Sequence, residues 1–144
     1  MNEEPKGTIN KARIAWKGEK AFEAWAGSGH AVRLDADRVK NSGPSPIELL
    51  LLGLGGCTAT DVVNILLKKR LDLKGYEVQV EGEQAVDYPK VYTRIKVTHV
   101  FRGKGIPAKA VEEAIHLSES KYCSAAAMLS KTAQIETSYR IEET

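Results

Sequence analysis

The run Ser45-Pro46-Ile47-Glu48-Leu49-Leu50-Leu51-Leu52-Gly53-Leu54 predicts one long helix that is hard to bury in a small chain. Serine is a favoured N-cap, proline suits the first helical position, and a glutamate three residues after the serine completes a capping box. The helix should run to about Arg70, where Lys68, Lys69 and Arg70 complement the negative end of its dipole. At 1.5 Å per residue it would be about 37 Å long. Its first half is apolar nearly all round, which calls for burial on every side. The 144 residues make about one domain, spanning 1–144. A second copy is therefore expected to cover part of the helix, in a homodimer.

The remaining segments read as strands and shorter helices. Thr8 to Trp16 alternates, with Ala12, Ile14 and Trp16 on one face and Arg13 and Lys17 on the other, as a half-buried strand does. Lys17-Gly18-Glu19-Lys20 reads as a hairpin turn, followed by short strands at Ala21 to Ala26 and His30 to Leu34. Tyr76 to Glu81 and Val91 to Thr98 alternate as two antiparallel strands around an Asp87-Tyr88-Pro89 turn. Pro107 to Ser120 and Ser124 to Lys131 read as helices, and Gln134 to Ile141 as a closing strand. The order predicts an α+β fold of antiparallel strands around a long central helix, and not a doubly wound sheet.

Several function classes fall away. The formal net charge is +2, and Lys and Arg are interleaved with Asp and Glu, so no nucleic-acid stripe forms. The N-terminal residues are polar, with no visible signal peptide. The longest apolar stretch, Ile47 to Leu54, falls short of a membrane span. A cytoplasmic location is expected, where disulfides are more often transient and catalytic than structural. No Gly-rich phosphate loop, GxSxG elbow or HExxH is present, and no cofactor is implied.

Two cysteines carry the chemistry that the residues offer. Cys57 follows Gly55-Gly56 inside the long helix, and Cys123 follows Lys121-Tyr122 and opens an alanine-rich run. They either form a dithiol/disulfide couple or fill the core as small apolar side chains. Cys123 would lie at a helix N-terminus, with Lys121 adding a cation, which favours its thiolate. Cys57 lies about three turns inside its helix, and Asp61 one turn on would disfavour its thiolate if the two side chains meet. The glycines leave room either for close packing or for a small ligand. Two cysteines without CxxC spacing and three scattered histidines, His30, His99 and His116, give no metal-ligand cluster. His99 and His116 read as structural.

Gly43-Pro44-Ser45-Pro46-Ile47-Glu48 through Gly55-Gly56-Cys57-Thr58-Ala59 resembles the first cysteine motif of the OsmC/Ohr family, and Lys121-Tyr122-Cys123-Ser124 resembles its second. The likeness covers nearly the whole chain and is closest to the YhfA-like branch. It implies an intertwined homodimer with active sites at the subunit interface. It also implies thiol-dependent reduction of organic hydroperoxides, in defence against oxidative stress. In that scheme Cys57 is peroxidatic and Cys123 resolves its sulfenic acid as a disulfide, which a dithiol reductant opens.

The chain departs from the family pattern in two places. Family peroxidases carry an Arg near the first hairpin; here Lys17 and Lys20 stand there, with Arg33 and Arg38 as alternatives. They also carry a Glu directly after the helix-opening Pro; here that position is Ile47, and the acid is Glu48. Glu48 is either the capping-box acid or a charge that polarises the site. The expected activity is a cysteine-based peroxidase. The alternative is a thiol redox sensor or sulfur-relay protein without fast peroxide turnover.

Overall fold

The computed structural model describes residues 4–144. It divides into two compact units, Met1–Leu49 and Leu50–Thr144.

In the first unit, β1 (Ala12–Trp16), β2 (Ala21–Ala26) and β3 (Ala31–Asp35) form an antiparallel meander. Gly18 and Glu19 take positive φ at the first turn, a conformation glycine adopts without cost. The Trp16 indole N–H donates to the Glu19 carbonyl at 2.9 Å, which closes that hairpin. The expected half-burial of β1 does not occur in the single chain: Ile14 and Trp16 are 55% and 69% exposed. Alternation shows which side chains share a face, but says nothing about what covers it.

The long helix α1 spans Pro46–Lys68, ending two residues before the sequence reading placed it. Arg70 has a positive φ of 57° and breaks the helical path. The capping box is made as the sequence predicts. Ser45 N–H and Oγ donate to Glu48 Oε1 at 2.9 and 2.8 Å, and the Glu48 N–H donates back to Ser45 Oγ at 3.4 Å.

In the second unit β4 (Leu73–Gln84) pairs antiparallel with β5 (Tyr92–Gly103), and β5 pairs with β6 (Gln134–Glu143). This last pair is parallel, unlike the antiparallel strands expected, because α2 (Ala108–Leu117) and α3 (Ser124–Leu129) carry the chain back along the sheet. Between these helices Ser118–Tyr122 forms a π-helical turn. The core joins Val62 and Leu66 of α1, Phe101 of β5, Ile106, and Val111, Ala114 and Ile115 of α2. Truncating one such large side chain costs about 2–5 kcal/mol.

Helix α1 buries a single stripe, Leu54, Thr58, Val62 and Leu66, at four-residue spacing. Leu50, Leu52 and Leu67 stay 48%, 62% and 60% exposed. By length and composition the whole helix is apolar enough to cross a membrane, a point missed by counting only Ile47 to Leu54. Within the second unit, Val62 and Leu66 of that stripe pack into the core, and Asp61 interrupts the apolar surface. Of the two glycines before Cys57, one packs closely. A Cβ on Gly55 would stand 3.1 Å from Val80 Cγ2, so this residue allows helix and sheet to approach, whereas Gly53 and Gly56 face open space.

Candidate functional site

The fold brings Cys57 and Cys123 together. Their sulfurs and an Asp61 carboxylate oxygen all lie within 4.8 Å of one another. Cys57 and Asp61 share one face of α1, one turn apart, and both are half-buried. Cys123 is buried, 4% exposed, and is the N-cap of α3, its sulfur accepting the Ala126 N–H at 3.4 Å. A cleft of about 200 Å³ is lined by Asp61, Asn64, Ile65, Lys68 and Tyr122, so it reaches one member of this cluster.

Ser118 holds the parts in register. Its carbonyl accepts the Cys123 N–H at 2.7 Å across the π-helical turn. Its hydroxyl donates to Asp61 Oδ2 at 2.9 Å and lies 2.8 Å from Thr58 Oγ1. A serine hydroxyl has one proton, so with Asp61 as acceptor Thr58 is the donor to Ser118. Ser118 and Thr58 are both buried, and each finds its partner in the other's element.

The helix-end argument for Cys123 is overturned by burial. Desolvation pushes the Cys123 thiol up to about 11, with the Cys57 thiol and the Asp61 carboxylate adding to it and only the Ala126 N–H opposing. Cys123 is thus a protonated thiol at neutral pH. Lys121 gives no help, because its ammonium lies over the Tyr122 ring, 5.2 Å from the centroid.

Glu48 lies in the first turn of α1, at the end of the first unit. Its carboxylate is occupied by Ser45 and by Arg38, whose Nη1 lies 3.5 Å away. The Ser45 backbone and hydroxyl bonds, with Arg38, hold its acid below the ordinary value. Arg33 Nε donates to Ser42 Oγ at 3.0 Å, and Lys17 and Lys20 are exposed.

The sequence reading excluded a metal cluster by counting cysteines and histidines. That count left out Asp61, whose carboxylate the fold sets beside the two sulfurs. The fold also reveals a buried pair: the Tyr76 hydroxyl and His99 Nδ1 share a hydrogen bond of 2.7 Å, and Tyr76 stacks on Phe101 with centroids 4.8 Å apart. Burial pushes His99 down to about 4. Burial and the Asp61 charge raise Tyr76 far above a free phenol. His99 is fully buried and His116 is exposed.

Residues 39–138 match the family model described as OsmC-like protein. The chain belongs to the OsmC-like family. Protein YhfA of Escherichia coli is 38% identical over 134 residues, covering 91% of this chain and 97% of its own. Among solved structures, a hypothetical protein from Aquifex aeolicus shares 28% identity at a TM-score of 0.86, over 96% of this chain and 99% of that one. The organic hydroperoxide resistance protein OhrB of Bacillus subtilis shares the OsmC-like fold at a TM-score of 0.62 and 14% identity, over 92% of this chain and 98% of its own.

Proposed function

We propose that this OsmC-like protein is a cytoplasmic thiol peroxidase that reduces organic hydroperoxides through Cys57 and Cys123. The observation that carries the reading is the placement of the two sulfurs within 4.8 Å of each other, with Cys57 half-buried and Cys123 buried. A disulfide needs about 2.05 Å, so the two sulfurs must move together on oxidation.

Cys57, as thiolate, attacks one peroxide oxygen; the O–O bond breaks and the alkoxide leaves as an alcohol after taking a proton. Cys57 becomes a sulfenic acid. The Cys123 sulfur then attacks the Cys57 sulfur, a disulfide forms, and the hydroxyl leaves as water. A dithiol reductant opens the disulfide and returns both thiols. The exposure of the two residues favours this order, because the buried Cys123 thiol, pushed up to about 11, is a poor first nucleophile at neutral pH.

A homodimer accompanies the proposal. The exposed leucines of α1 are the side chains that a second copy would cover, as the family likeness implies. One observation favours the alternative, a redox sensor or sulfur-relay protein: Lys17 and Lys20 stand near the first hairpin in place of the family's arginine, and the acid at the helix start, Glu48, is tied into the capping box. Steady-state consumption of an organic hydroperoxide with a dithiol reductant tests the main reading. Loss of two titratable thiols per chain without turnover would favour the sensor.

A further inference from the structure

We propose that Cys57, Cys123 and Asp61 form a binding site for a thiophilic divalent cation of the zinc type. Two sulfurs and one carboxylate oxygen are a donor set that selects zinc-like ions over magnesium or calcium, which take oxygen ligands. In a tetrahedral zinc site, bonds of about 2.3 Å to sulfur and 2.0–2.2 Å to oxygen set the donors roughly 3.5–3.8 Å apart. Here they lie within 4.8 Å, so closure needs a shift of at most about 1.3 Å along any edge. Three protein ligands leave a fourth position open, and the cleft reaching Asp61 provides access for the ion and for a water or small ligand at that position.

The surroundings are those of a built site. Asp61 Oδ2 accepts from the Ser118 hydroxyl, which is itself buried and held by Thr58. Such outer contacts fix a ligating carboxylate in orientation and typically matter 10–100-fold in metal affinity. The backbone of Ser118 also anchors Cys123. Binding replaces two S–H bonds by two metal–sulfur bonds, so two protons leave for each ion and no electron moves. With both sulfurs committed to the ion, no disulfide forms between them. Oxidation of the pair to a disulfide would conversely expel the ion. The inference does not depend on peroxide turnover: a protein that binds zinc and leaves hydroperoxide untouched satisfies it.

The test is titration of zinc into the reduced full-length protein, without oxygen, against a chromophoric chelator. One zinc per chain is expected, with two protons released per zinc. Cys57→Ser and Asp61→Asn should each lower affinity by about tenfold or more, and Ser118→Ala by about tenfold, while circular dichroism stays native. Cobalt added to the unaltered protein should give a strong ultraviolet thiolate-to-cobalt band that zinc abolishes, a readout that survives if a variant misfolds. Failure to take zinc from the chelator, affinity indifferent to Cys57→Ser and Asp61→Asn, or cobalt binding without the thiolate band would overturn the proposal.

Discussion

Ser118 Oγ donates to Asp61 Oδ2 at 2.9 Å, joining residues 57 positions apart in the sequence. The same serine holds the backbone of Cys123, so the two cysteine-bearing elements meet through one side chain and one carbonyl.

One equivalent of organic hydroperoxide should link Cys57 to Cys123 within one chain. Peptide mapping under non-reducing conditions reads this directly. Two free thiols, or only intermolecular adducts, would reject the pairing.

The cysteines should differ in reactivity. Burial pushes the Cys123 thiol up to about 11, so it carries little thiolate near neutral pH, whereas Cys57 is only half-buried and open to reagents. Iodoacetamide should therefore modify Cys57 well before Cys123. With peroxide, Cys57→Ser should abolish consumption, and Cys123→Ser should accumulate a trappable sulfenic acid on Cys57. Trapped label on Cys123 in the Cys57→Ser variant would reverse the roles.

Glu48→Gln should be mild. Glutamine also fills the box position, so turnover should change less than about twofold and Tm by roughly 2 °C or less. The acid form of Glu48 loses the contacts that depress it, so its contribution to stability is present above the ordinary value of 4.5 and fades as pH falls through the lowered one. A tenfold loss of turnover at unchanged Tm would instead assign the charge to the reaction.

His99 should make the fold sensitive to mild acid. Below pH 6.5 the unfolded chain binds a proton at His99 that the folded chain refuses until about pH 4. Stability from this group is full above pH 6.5 and falls as pH drops to about 4, by roughly 3 kcal/mol at most. Proton uptake on unfolding, measured at pH 5.5, should fall by nearly one in His99→Gln. An equal uptake in both proteins would mean that His99 titrates normally.

The unfolding midpoint should rise with protein concentration, as for an obligate dimer. Leu52, at 62% exposure, is one of the side chains that a second subunit would cover. Leu52→Glu should produce monomers or unfolded chain in sedimentation. A stable monomer of the unaltered protein at micromolar concentration, with native-like circular dichroism, would reject the dimer.

Much of this was legible in the sequence because it is local. The Ser45–Glu48 capping box, the alternation of β4 and β5, and the position of Cys57 one turn before Asp61 all depend on neighbours within a few residues. Other features depend on distant partners. Nothing near Ser118 signals that its hydroxyl meets Thr58 and Asp61, and nothing near Gln134 signals that β6 runs parallel to β5. Cys123 shows the cost of local reasoning: its helix-end position is real, but burial by distant residues determines its protonation.

The π-helical turn from Ser118 to Tyr122 sets a tolerance on chain length. Its wide loop brings the Cys123 N–H back onto the Ser118 carbonyl, five residues earlier, while the Ser118 side chain reaches α1. The interval from Ser118 to Cys123 therefore acts as a spacer of fixed length. The hairpin around Asp87 to Lys90 can gain or lose residues without moving either sulfur, but a single insertion or deletion between Ser118 and Cys123 would turn the thiol away from its partner. Drift in length among relatives should thus concentrate in the β4–β5 hairpin and spare that five-residue step.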